Sequence, residues 1–182
     1  MKKLLSLALA LVLVLSVMSF AAAEGAANKH GLGMVTSIGS LADATAEKPG
    51  AAQVNTTVCS VIVDADGKIV SVIWDVQQTK ITFSLEGKPV DLPEVLKTKL
   101  EKGDEYGMRK VSGIGKEWFE QIAAFGEYVI GKTLEEVKAM PTFDRGDGSH
   151  NMVPDAEDLK ASVTITVGDY IASLEKAIAN AK

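Results

Sequence analysis

The clearest alternation of apolar and polar positions lies in residues 55–76, NTTVCSVIVDADGKIVSVIWDV. Two runs rich in Val, Ile and Thr flank Asp64-Ala65-Asp66-Gly67-Lys68. An Asp-Gly pair between two such runs supplies the backbone freedom of a tight turn, so the pattern predicts an antiparallel hairpin. In the second run Val70, Val72, Trp74 and Val76 share one face at period two, while Ile69, Ser71, Ile73 and Asp75 share a half-apolar one. One buried and one partly covered face suits a sheet backed by helices. The acidic start of the turn resembles a calcium loop, but the later ligands of such a loop are absent, and the hairpin reading stands.

The rest of the chain is read around this hairpin. HGLGMVTSIG, residues 30–39, is a short glycine-bounded strand, and residues 40–53 read as a loop. TKITFSLEGKPV, residues 79–90, gives a third strand, a Glu-Gly turn and a fourth strand. Residues 91–103 carry Leu92, Val95, Leu96 and Leu100 at helical spacing. Trp118, Ile122, Phe125 and Val129 then recur every three or four residues as one helix stripe, stopped by Gly131. Thr133 with Glu136 forms a capping box for a helix to about Met140, ended by Pro141. A polar loop follows, containing Arg145-Gly146-Asp147, which is read as plain loop and not as an integrin-binding tripeptide. The last helix carries Val167, Ile171, Leu174 and Ile178, and Thr166 with Asp169 makes a variant capping box at its start. Strands first and helices later predict an α+β fold: an antiparallel sheet built on a central hairpin, packed by three to four helices.

The first residues change the picture of where this domain works. Lys2 and Lys3 precede an apolar run from Leu4 to Phe20, and Ala21-Ala22-Ala23 offers the small residues of a cleavage site. Residues 1–23 are therefore expected to be a cleaved Sec-type signal peptide, with an uncleaved N-terminal membrane anchor as the alternative. Residues 24–30 form a flexible lead-in, and residues 31–182 a single domain large enough for its own core. Export leads to a secreted or cell-envelope location. Cleavage removes two lysines and no acid, which moves the net charge from −5 to −7. A chain this acidic is a poor partner for nucleic acid. The single cysteine, Cys59, sits among Val and Ile and reads as a small buried hydrophobe.

Catalytic machinery is sparse. His30 and His150 have no Cys or His companions at ligand spacing, which argues against zinc. There is no nucleophile elbow and no Walker loop. Two stretches remain. In VSGIGKEW, residues 111–118, Gly113 and Gly115 precede a helix, where bare backbone N–H groups can approach a polar or planar ligand. In SVTITV, residues 162–167, three hydroxyls fall within five residues. Thr164 is either an ordinary strand threonine or a seat for a phosphate just before a helix N-terminus, where negative charge is stabilised by roughly 0.3–1 kcal/mol.

Taken in order, Asp66-Gly67-Lys68-Ile69, the Ser112-Gly113-Ile114-Gly115 turn, the helix with Trp118 and Gln121, Gly131-Lys132 and Thr164-Ile165-Thr166 resemble a known family. It is the FMN-binding domain family of bacterial exported electron-transfer flavoproteins, related to the flavinylated subunits of sodium-pumping complexes. The resemblance covers roughly residues 31–181, and the order of its short motifs tells more than any one of them. It implies an FMN-binding-domain-like fold, with Gly113, Ile114 and Gly115 matching the end of the family's flavin-side turn and Ser112 near its threonine. It further implies that Thr164 falls on the hydroxyl to which a flavin transferase joins the FMN phosphate. Where the family motif is Ser-Gly-Ala-Thr, this chain has Ala161, Ser162 and Val163 before Thr164.

From that resemblance FMN, covalent or non-covalent, is the expected cofactor. The expected site is Thr164, Ser112, Gly113, Ile114, Gly115, Lys116, Trp118 and Thr166, with Trp118 and Tyr106 as stacking partners and Lys116 facing the reduced flavin. The expected role is an extracytoplasmic electron carrier, not a substrate-specific enzyme, served by a flavin transferase and a membrane or cell-surface redox partner. The alternative is a flavin-free binding or interaction module on the same fold.

Overall fold

The computed structural model describes residues 27–90 and 92–182. The expected signal peptide lies outside the described residues. Three long strands, β1 (Lys29–Ala42), β2 (Gly50–Val63) and β3 (Ile69–Phe83), form an antiparallel meander that ends in a short β4 (Pro89–Val90). A four-residue helix α1 (Lys99–Lys102) follows, and then two 3₁₀ turns, Gly103–Tyr106 and Met108–Lys110. The helices α2 (Trp118–Val129), α3 (Leu134–Lys138) and α4 (Gly168–Ala179) complete the fold, with β5 (Thr142–Phe143) pairing β6 (Val153–Pro154) between the last two. The class is α+β, an antiparallel sheet packed by helices.

The central hairpin forms as its sequence requires. Gly67 takes φ +76°, and the Asp64 carboxylate accepts from the N–H groups of Asp66 and Lys68 at 3.0 and 2.8 Å. One residue breaks the alternation beyond it. Val63 pairs with Ile69 but Ile62 pairs with Ser71, so Val70 is an extra residue in β3. This bulge shifts the phase. Ile69 faces the core, Val70 is exposed, and Trp74 and Val76 are buried as expected.

The inner face of the sheet, with Cys59, Val61, Trp74 and Val76, carries the core. Helix α4 lies on it so closely that a Cβ at Gly31 would come 1.9 Å from the Ala177 carbonyl oxygen, and one at Gly33 2.1 Å from that of Ser173. The Trp74 indole donates to the Tyr170 carbonyl at 3.0 Å, and Phe125 of α2 stacks on the same ring at 5.3 Å. The C-terminal end of α4 also covers the free edge of β1. Lys176 Nζ donates to Met34 O, Asn180 Nδ2 to Leu32 O, and the Lys182 and His30 backbones exchange two hydrogen bonds. The opposite sheet face leaves Leu32, Met34 and Ile73 exposed.

Several expectations need correction. The loop expected at residues 40–53 shrinks to residues 43–49: β1 runs to Ala42 and β2 starts at Gly50, because the strands pair to their ends. The spacing of Leu92, Val95, Leu96 and Leu100 does not make a long helix. Only Lys99–Lys102 is helical, started by a Thr98–Glu101 capping box, and Val95 and Leu96 stay exposed. Helix α3 opens with the expected Thr133–Glu136 box and closes at Lys138. Helix α4 is capped at Val167 without a side-chain bond, not at Thr166. The Thr166 hydroxyl donates instead to the Asn151 carbonyl, because the β5–β6 loop returns against the start of this helix and its Met152 carbonyl accepts from Val167 N–H at 3.1 Å.

Lys99 is the buried cation of the core. Its Nζ lies 4.8 Å from the Tyr106 ring centroid and 5.2 Å from that of Trp118. Burial foremost, then the Lys102 charge, pulls its pKa from 10.5 down to about 8, against an opposite pull from Asp75. The folded value lies below the unfolded one, so the unfolded chain holds more protons between these two values and folding strengthens as pH rises through them. The two aromatic faces offset part of the cost of the charge. Lys99→Met is expected to raise stability at pH 7 by about 1–2 kcal/mol and to flatten the rise in stability toward pH 10. Urea denaturation at the two pH values checks this; an unchanged pH dependence would refute it.

Candidate functional site

The site is organised by one buried amide. Gln121 stands in the apolar stripe of α2, three residues after Trp118 and four before Phe125, and is 0% exposed. Its Oε1 accepts from the Thr164 N–H at 2.9 Å and from the Thr164 hydroxyl at 3.2 Å. Its Nε2 donates to the Lys116 carbonyl at 3.1 Å and to Ser112 Oγ at 3.3 Å. A polar group this deep is costly unless paired, and here both ends are. Gln121 therefore ties the glycine turn to the threonine segment, which lies 43 residues after the amide.

Each stretch has a local reason for its shape. The Ser112 carbonyl accepts from Gly115 N–H at 3.0 Å, with Gly115 at φ +64°, a conformation that glycine takes without strain. The buried Glu117 carboxylate holds the preceding 3₁₀ turn by accepting from Met108 and Arg109 N–H, both at 2.9 Å. Residues 162–167 belong to no helix and no sheet: they begin in a turn closed on the Leu159 carbonyl and end at Val167 with φ −110° and ψ 3°. They alternate all the same: Val163, Ile165 and Val167 are buried, and Ser162, Thr164 and Thr166 face outward. The strand-like pattern reports this packing and not a ladder.

The third wall is the loop between β5 and β6. Arg145 Nη2 donates to the Thr164 carbonyl, and Asp147 accepts from the His150 N–H at 2.8 Å and pairs with its Nδ1 at 2.7 Å. Backbone N–H bonds from Ser149, foremost, hold the Asp147 carboxyl well below the usual range. Asp147 of the Arg-Gly-Asp tripeptide is thus used inside its own loop, while Arg145 reaches out of it to Thr164. Together these elements enclose a cavity of about 210 Å³ whose wall includes Ser112, Gly113, Arg145, His150 and Thr164. Arg145 forms no ion pair among the described residues, and its guanidinium is engaged by the Thr164 carbonyl.

Of the sequence-predicted residues, Thr164, Ser112 and Gly113 come together here. Ile114, Gly115 and Lys116 belong to the turn but do not line the cavity, and Thr166 anchors the loop at Asn151. Trp118 does not offer a stacking face: it is 1% exposed, and its indole N–H donates to the Tyr170 hydroxyl at 2.8 Å. Tyr106 packs against the core and donates to Gln78 Oε1 at 3.3 Å. Sequence alone assigns Arg145, His150 and Gln121 no role in this site. The signal for Gln121 was present, an uncharged polar residue inside an otherwise apolar helix stripe.

No family model matches the chain, and no solved structure matches it. Among curated proteins, a chlorophenol reductase from Desulfitobacterium hafniense is 32% identical over 124 residues, covering 60% of this chain. The chain spans 36% of that protein's length.

Replacing Gln121 by Leu keeps the bulk of the side chain and removes five hydrogen bonds, a weak one to Met108 Sδ included, leaving the Thr164 N–H without its acceptor. A loss of about 1–3 kcal/mol is expected, with amide exchange accelerated at Thr164 and in the 112–116 turn. Hydrogen-exchange measurement reads both. Protection unchanged at Thr164 would show that the amide is not the tie.

Proposed function

We propose that this chain is an exported FMN-binding protein that carries electrons outside the cytoplasm, with the FMN phosphate held at, or esterified to, Thr164. The observation that carries the reading is the cavity lined by both Thr164 and Arg145, a residue that forms no ion pair among the described residues. Arginine suits a phosphate because its planar fork donates two parallel, charge-assisted hydrogen bonds. A Cβ at Gly113 would meet no other atom within 4 Å, so packing does not demand a glycine there, and its bareness keeps the cavity wall open.

The size of the cavity also fits part of such a ligand. At about 210 Å³ it is smaller than the ~300–1,000 Å³ of most small-molecule sites, which suits a phosphate and its ester arm. The ring system would then lie over the rim, where Val111 is 83% exposed. The flavin would supply the redox chemistry, and the chain would bind and orient it. Esterification, by transfer of the FMN phosphoryl group from a flavin pyrophosphate whose other phosphate leaves and takes up the proton, would remove the hydroxyl hydrogen that now goes to Gln121 Oε1, while the Thr164 N–H keeps that acceptor paired. Lys2, Lys3, the apolar run and Ala21–Ala23 support export. Among the described residues no helix is long and apolar enough to cross a membrane. A flavin transferase and a membrane or cell-surface redox partner follow from this role. The relative's name denotes a reductase, which fits redox work but says nothing about the cofactor.

A flavin-free binding module is the second reading, favoured by one observation. Where the family motif has Gly and Ala, Ser162 and Val163 both donate their N–H groups to the Leu159 carbonyl at 2.8 Å, and Val163 is buried. A modifying enzyme would meet a closed turn at that point. Co-expression with a flavin transferase, export and a denaturing gel separate the readings. A fluorescent band that disappears in Thr164→Val supports the ester, and colour lost on denaturation supports non-covalent FMN. Arg145→Gln is expected to weaken retention of FMN about tenfold without changing the fold. A colourless wild-type product would overturn the flavin reading.

A further inference from the structure

We propose that the cleft between the outer half of β3 and residues 92–105 is a second binding site, for an organic carboxylate with a flat apolar body. The cleft has a volume of about 460 Å³, within the range of small-molecule sites, and shares no lining residue with the Thr164 cavity. The inference therefore stands apart from the flavin reading.

Three features define the ligand chemistry. The first is charge. Lys80, Lys97 and Lys102 line the cleft in a chain whose net charge is −5. The carboxylate in the same lining, Glu105, is held by Lys97 at 2.7 Å, while Lys80 and Lys102 form no ion pair among the described residues. Two free ammonium groups suit one anionic head and do not suit a polyanion.

The second feature is an unmet donor. Gln77 lines the cleft, and its buried Nε2 has no hydrogen-bond partner among the described residues. Its neighbour Gln78 is already engaged by the Tyr106 hydroxyl, with Lys102 Nζ 6.0 Å above the Tyr106 ring. A buried amide left unpaired is unfavourable, and a turn of the Gln77 side chain into the cleft would bring its Nε2, now closed to solvent, to a carboxylate oxygen, an acceptor of the right kind. The third feature is the apolar wall. Val95 is 70% exposed and Leu96 47%, although both line a concave surface. An inorganic anion would leave them uncovered; an aromatic or branched body would cover them.

Lys99 offers a readout inside the protein. The Lys102 charge is one of the causes that hold Lys99 down, so a carboxylate seated beside Lys102 screens that repulsion and moves the Lys99 titration upward.

The probe is 2-naphthoate, titrated into the purified chain and followed by amide and side-chain NMR. Expected are saturable shifts at the Gln77 and Gln78 side-chain amides and at Val95 and Leu96, with the Lys99 midpoint moving up. Lys102→Gln and Lys80→Gln should each weaken binding about five- to tenfold, and Gln77→Leu should also weaken it. Inorganic phosphate should not displace the probe, and the methyl ester of naphthoate should bind at least tenfold more weakly. The proposal is overturned if no saturable binding is found, if the ester binds as well as the acid, if both lysine variants bind as wild type, or if the shifts map elsewhere.

Discussion

Helix α4 meets the sheet backbone against backbone, and most of the molecule is placed by that contact. At Gly31 and Gly33 a methyl group would overlap the Ala177 and Ser173 carbonyls. Without a side chain the two strand positions let the helix axis come close enough for Trp74 to reach the Tyr170 carbonyl and Ser173 Oγ. The same closeness seats Tyr170 where it accepts from the Trp118 indole, which ties α2 to α4. Residues 163–167 enter that junction directly. Their outward hydroxyl at Thr164 therefore has its position fixed by two glycines more than 130 residues earlier.

The candidate site is a second consequence of the α2–α4 junction. Gln121 is rigid because it lies on the buried face of α2, and it holds two segments that have no regular structure of their own. The loop with Arg145 and His150 is fastened to the second of these segments at three points: Arg145 on Thr164, Thr166 on Asn151 and Val167 on Met152. A site made from turns and an unpaired strand-like segment gains its order from buried hydrogen bonds rather than from a helix or a sheet.

Local physics made part of this legible in the sequence. The Asp64–Lys68 turn, the α2 stripe and the Thr133–Glu136 box each depend on neighbours in the chain, and each is found where expected. Ser112, Gly113 and Thr164, grouped in the sequence by a resemblance and not by spacing, line one cavity. What failed depended on distant contacts. The bulge at Val70 answers to the register of β2, and Thr166 abandons capping because a loop 15 residues away supplies an acceptor. The spacing of Leu92, Val95 and Leu96 imitates a helix that forms only at Lys99, where a proper cap exists. Arg145 was visible only as part of a tripeptide with another meaning, and no local pattern could have aimed it at Thr164.

The tail of α4 also decides how this sheet meets other chains. An exposed strand edge is a template for further strands. Along the first half of β1 that template is occupied by Lys176, Asn180 and Lys182, which take up the carbonyls of Met34, Leu32 and His30. Splicing a foreign strand onto the sheet at this edge first requires the helix to peel away. That event would also dismantle the junction holding Thr164, so resistance to polymerisation and integrity of the site are coupled through a single helix.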